Sequence, residues 1–133
     1  MKNIQQYRIY YEDTDSGGVV YYANYLKYLE RARTELLREL GFAQRQLAEE
    51  TGLAFAVRSL AVEYLKPAKL DDLIEVVTTI EDLGRAQVTF AQSIRRAEET
   101  LITATVRVAC LDLVKGKATA MPKPIYERLK ELL

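Results

Sequence analysis

Apolar residues fall into two distinct periods along this chain, and the switch between them fixes its layout. The opening segment alternates: Tyr7, Ile9 and Tyr11 face one way and Arg8, Tyr10 and Glu12 the other, which predicts a strand. Asp13-Thr14-Asp15-Ser16-Gly17-Gly18 then reads as a loop, because Asp side chains bond nearby amides and glycine admits turn geometry. Next, Tyr25, Tyr28, Leu29, Ala32, Leu36, Leu37 and Leu40 recur at three- and four-residue steps with charged residues between them. This spacing predicts an amphipathic helix, with Asn24 as N-cap and Gly41 as the stop. A shorter helix is expected over 43–50, ending at Gly52.

The remainder returns to strand patterning. Residues 53–64 form an apolar run that turns before Pro67, and Ile74, Val76, Thr78 and Ile80 alternate with Glu75, Val77 and Thr79. After Leu83-Gly84-Arg85, the inward set is Ala86, Val88, Phe90 and Ile94. A turn near Glu98-Glu99 leads into Ile102, Ala104, Val106, Val108 and Cys110, and Lys115-Gly116-Lys117 is another turn. Residues 122–133 read as a short amphipathic helix carrying Ile125, Leu129 and Leu132. Strand, long helix and about four further strands, the last joined by hairpin-length turns, predict an α+β domain over 1–133. In it, one helix packs on one antiparallel sheet, whose exposed edges invite a second copy.

Composition narrows the chemistry. The 133 residues carry 19 basic and 19 acidic side chains, so no broad field points to nucleic acid or anionic lipid. The start lacks the apolar core of a signal peptide and no stretch could span a bilayer, so a cytoplasmic protein without a membrane anchor is expected. The lone Cys110, within an apolar run, reads as a buried inert thiol. Histidine is absent. That removes Ser-His-Asp and Cys-His nucleophiles, His-dependent zinc sites and imidazole general bases, leaving carboxylates, hydroxyls, lysines and backbone amides.

Those groups concentrate between Tyr11 and Tyr25. Asp13 and Asp15 end a strand, Gly17 and Gly18 follow, and the next amides enter a helix. Unsatisfied amides at the positive end of a helix suit an oxyanion, and a nearby carboxylate can attack a carbonyl or activate water. The same residues are also ordinary turn chemistry, and both readings stand on the residues alone. A calcium loop fails: Gly17 occupies the fifth ligand position and Asn24 the twelfth, where a bidentate glutamate is needed, so no metal is expected. Tyr21, Tyr22, Tyr25 and Tyr28 fit core or interface packing. Arg58 and Arg85 each interrupt or open a strand-like run.

The run Tyr10-Tyr11-Glu12-Asp13-Thr14-Asp15, with Gly17-Gly18-Val19-Val20-Tyr21, Ala23-Asn24-Tyr25-Leu26 and Glu30-Arg31-Ala32-Arg33-Thr34-Glu35, resembles the YbgC-like acyl-CoA thioesterases linked to the Tol-Pal system, within the 4-hydroxybenzoyl-CoA thioesterase family. Phe55-Ala56-Val57-Arg58, Val62-Glu63-Tyr64, Pro67-Ala68-Lys69-Leu70-Asp71-Asp72 and Met121-Pro122-Lys123 extend the likeness over nearly the whole chain. The resemblance implies a hotdog fold, a long helix on five or six antiparallel strands, in dimers or a homotetramer. It also implies acyl-CoA hydrolysis without a separate cofactor, coenzyme A being part of the substrate. Asp15 matches the catalytic nucleophile or base, and the Tyr22 amide would polarise the thioester carbonyl. Gly17, Gly18, Val20, Tyr21, Tyr25, Arg58 and Ser59 are expected around the substrate, with Arg85 and Lys66 or Lys69 at the coenzyme A phosphates. Many YbgC-like relatives carry histidine where this chain has Tyr22; a backbone donor survives that change. An acyl carrier protein stays open as a partner. A non-catalytic acyl-CoA or carrier-protein binding module is the alternative, and a structural role in a membrane-associated complex a more distant one. A dehydratase on the same fold is disfavoured for want of histidine.

Overall fold

The computed structural model describes residues 2–133. Its strands are β1 (Asn3–Arg8), β2 (Leu53–Tyr64), β3 (Leu73–Leu83), β4 (Gln87–Arg96), β5 (Glu99–Asp112) and β6 (Lys117–Ala118); its helices are α1 (Tyr25–Glu39), α2 (Gln44–Thr51) and α3 (Lys123–Lys130). The strands form one antiparallel sheet in the order β1-β3-β4-β5-β2, with β6 beside the end of β5. Alternation in β3, β4 and β5 places Ile74, Val76, Ile80, Val88, Phe90, Ile94, Ile102, Ala104 and Val106 in the core. Register shifts at Val57/Ser59 and at Ile80/Asp82 insert an extra residue into β2 and β3, and such bulges add the twist that curls a sheet around a helix.

That helix is α1. Its predicted stripe, Tyr25, Tyr28, Leu29, Ala32, Leu36 and Leu37, is buried against the sheet. It stops at Gly41, whose φ of 98° admits the left-handed turn and lets the Phe42 amide reach Leu37 O at 2.9 Å. α3 closes one end of the core with Ile125 and Leu129. A long helix cradled in a curled antiparallel sheet is the hotdog arrangement. No helix among the described residues is long and apolar enough to cross a membrane.

Three expectations are corrected. The first strand stops at Arg8, and Tyr11–Asp13 form a 3-10 turn, because Asp13 reaches back to the Tyr10 amide at 2.8 Å and bends the chain. Asn24 does not cap α1 with its side chain; its amide donates instead to Asp13 O at 2.9 Å. Among the β4 residues, the inward face contains Gln92 as well as Val88, Phe90 and Ile94. Gln92 is tolerated there because it is fully engaged, donating to Leu29 O and Thr78 Oγ1 at 3.0 Å each and accepting from Arg33 at 3.0 Å.

Candidate active site

The loop between β1 and α1 is pinched by pairing of Thr14 with Val20. Inside the pinch the Asp15 amide donates to Val19 O at 2.9 Å and the Gly18 amide to Asp15 O at 3.0 Å. Asp15 Oδ1 accepts from the Gly17 amide at 2.8 Å, an Asx turn that fixes the carboxylate. Its Oδ2 has no protein donor among the described residues, and the side chain is exposed. Both glycines have a reason. Gly18 sits at φ 79°, and a Cβ on Gly17 would come within 3.2 Å of Asp15 Oδ1.

Asp13 does different work. Oδ2 accepts from the Tyr10 amide at 2.8 Å and from Tyr28 Oη at 2.6 Å, and its carbonyl accepts from Tyr21 N at 3.1 Å and Asn24 Nδ2 at 2.9 Å. Burial, and then this bond to a carboxylate, push the Tyr28 hydroxyl well above the ordinary tyrosine range. Asp13 therefore ties both ends of the loop to α1, whereas Asp15 keeps one carboxylate oxygen without a protein donor among the described residues.

After the loop, Tyr22–Asn24 form a 3-10 turn that runs into α1. The first bond across it is Asn24 N to Tyr21 O at 2.8 Å. The Tyr22 amide precedes it and has no protein acceptor among the described residues, so a free donor stands where the helix dipole is positive. Val20, Tyr22, Tyr25, Tyr64, Leu65, Lys66 and Pro67 line an open cavity of about 250 Å³ beside this turn. The Tyr22 and Tyr64 rings meet edge to face at 6.2 Å.

The expected binding residues do not all converge in one copy. Tyr25 is buried, its hydroxyl accepting from the Ala68 amide at 2.9 Å, so it supports the site from beneath. Tyr21 is exposed beside Tyr22, with ring centroids 4.9 Å apart. Lys66 and Lys69 lie on the connection between β2 and β3 that passes under the loop; Lys66 is paired with Glu99 at 2.6 Å. Arg58 and Ser59 sit at the bulge of the β2 edge. Arg85 lies at the other end of the sheet, by Met121, Lys123 and Tyr126. Tyr64 lines the cavity as well, 42 positions from Tyr22 in sequence, a proximity that no local pattern encodes.

A pinned carboxylate with a free oxygen, a free amide at a helix start and an adjoining aromatic cavity thus stand together on a hotdog scaffold. The chain belongs to the thioesterase-like superfamily, which it matches over residues 10–129. It is a thioester hydrolase. It is similar to the acyl-CoA thioesterase YbgC of Haemophilus influenzae, 52% identical over 118 residues, which cover 89% of this chain and 87% of that one. The acyl-CoA thioester hydrolase YbgC of Escherichia coli O6:H1 is 48% identical over 125 residues, 93% and 92% of the two chains. Among solved structures, a probable thioesterase from Bartonella henselae superimposes with a TM-score of 0.86 at 37% identity, covering 92% of this chain and all of that one.

Proposed function

We propose that the protein hydrolyses acyl-CoA thioesters to the free acid and coenzyme A, with Asp15 as nucleophile or general base and the Tyr22 amide as the oxyanion donor. One observation carries this reading. Asp15 Oδ1 is committed to Gly17 while Oδ2 stays free, in a loop that runs directly into the unsatisfied Tyr22 amide. The amide stabilises negative charge as it develops on the thioester oxygen. Asp15 either attacks the carbonyl, expelling the thiolate and leaving an acyl-aspartyl anhydride that water then hydrolyses to the free acid, or takes a proton from the water that attacks the carbonyl as the thiolate leaves. Thiolate leaves without strong acid assistance, so the lack of histidine is no obstacle. The acyl-CoA hydrolase activity stated for the YbgC relatives supports the substrate class.

A homodimer through β2 fits this chemistry. β2 is an edge strand with Val57, Leu60 and Tyr64 exposed, and two-fold antiparallel pairing would bring the Leu53 end of one copy to the Tyr64 end of the other. Arg85 of the partner subunit would then approach Lys66 and Lys69, gathering cations for the coenzyme A phosphates.

Thiol release from a panel of acyl-CoAs, measured for wild type and Asp15→Asn, tests the reading. Asparagine can still accept from the Gly17 amide, so the loop is kept. A loss of about 100-fold or more is expected, as for removal of a catalytic base or nucleophile; equal rates would refute the assignment.

A further inference from the structure

The connection 65–72 between β2 and β3 forms a strap beneath the Asp15 loop, and it touches that loop through main-chain pairing. Ala68 O accepts from Val20 N at 2.9 Å, and Val19 pairs with Lys69. Val19 O in turn holds the Asp15 amide. The position of Asp15 therefore depends on where the strap lies.

Main-chain bonds from Leu65 and Lys66 to Leu101 O and between Asp71, Asp72 and Ile9 tie the ends of the strap, Tyr25 Oη accepts from the Ala68 amide, and side chains remote from the loop brace it further. Arg96, at the end of β4, donates through Nη1 to Pro67 O at 3.2 Å and to Asp72 Oδ2 at 2.8 Å, and through Nη2 to Glu99 Oε1 at 2.5 Å. The same Asp72 oxygen accepts from the Lys69 amide at 2.8 Å, closing the turn whose Asp72 N to Lys69 O bond is 3.0 Å. Glu99 Oε2 accepts from Lys66 at 2.6 Å. The series Lys66, Glu99, Arg96, Asp72 alternates in charge and clasps the strap near both ends. Hydrogen bonds from Lys66 and then Arg96 hold the Glu99 carboxyl down at about 2. Burial opposes the Asp72 charge, yet bonds from Arg96 and the Lys69 amide outweigh it and lower that carboxyl too.

We infer that Arg96, with Asp72 and Glu99, is a positioning device for the thioester site: it braces the strap where Ala68 and Lys69 pair with the Asp15 loop. This rests on the catalytic reading of Asp15. The network is partly exposed, with side-chain accessibilities of 30% for Arg96, 23% for Asp72 and 37% for Glu99. Pairs of this kind add little to global stability. They can still matter to a rate, because small misplacements of reacting groups are costly.

The test compares Arg96→Ala and Arg96→Lys with wild type, Asp15→Asn and a remote control, Arg45→Ala on α2, by steady-state kinetics, thermal melting and amide hydrogen exchange. Arg96→Ala should lower kcat by about ten- to a hundredfold with KM within about twofold. Its Tm should stay near that of wild type, and the Asp15 and Val20 amides should exchange faster while those of β4 keep their protection. Arg96→Lys should recover part of the rate, since one ammonium cannot span Pro67, Asp72 and Glu99 together. Unchanged exchange at Asp15 and Val20 in Arg96→Ala would overturn the clamp, whatever the activity. Faster exchange with an unchanged kcat, while Asp15→Asn is inactive, would overturn its role in catalysis. Full activity of Asp15→Asn would instead defeat the catalytic reading, and exchange would still decide whether Arg96 holds the loop.

Discussion

Two aspartates two positions apart have opposite surroundings, and the proposed division of roles rests on that difference. Asp13 spends its carboxylate on the Tyr10 amide and the Tyr28 hydroxyl, whereas Asp15 spends one oxygen on the Gly17 amide. Turn chemistry alone does not separate them; the family resemblance matches only Asp15 to the catalytic position and leaves Asp13 to close the turn, while the contact that engages Asp13, from Tyr28 Oη, comes from a helix 15 positions on. Gly17 offers a clean test. Its φ is not in the left-handed region, so alanine fits the backbone and restricts the unfolded chain, but its Cβ would press on Asp15 Oδ1. Gly17→Ala is expected to melt at or slightly above the wild-type temperature while kcat falls about tenfold. Paired calorimetry and thiol-release assays check both halves.

At the scale of elements, the hydrophobic period located α1, β3, β4 and β5 closely, because each has a single buried face to encode. It missed what side chains do across elements. Gln92 lies among apolar neighbours in β4, yet it ties β4 to α1 through Leu29 O and Arg33 and to β3 through Thr78. Arg33 is itself buried, and loss of solvation lowers its pKa. Gln92→Ala would leave the guanidinium, a carbonyl and a hydroxyl without this partner. A loss of about 2–3 kcal/mol is expected, read as a lower denaturation midpoint at constant slope. Gln92→Leu, which fills the space without restoring the bonds, should recover little of it.

Across the whole molecule, β2 is the exposed element: the second strand in sequence lies at the far edge of the sheet, paired with β5 on one side only. An edge of 12 residues that displays Val57, Leu60 and Tyr64 is a template for another strand. On the proposed pairing, wild type should sediment as a dimer or larger, and Leu60→Asp should shift it toward monomer and reduce activity together, measurable by analytical ultracentrifugation beside the thiol assay. Sedimentation of Leu60→Asp identical to wild type would remove β2 as the contact. The sequence by itself determined the periods, the position of the helix stop, the exclusion of imidazole chemistry and the concentration of reactive groups between Tyr11 and Tyr25. All of these are local, since they follow from residue type and spacing. Only the tertiary structure decided that β2 lies beside β5 and not β3, that Tyr64 lines the cavity at Tyr22, that Arg85 stands apart from Lys66 and Lys69, and that Arg96 clasps the strap under Asp15. Those facts depend on which distant segments meet when the sheet curls around α1, and a closure of that kind is set by packing of the whole core and not by any one stretch of chain.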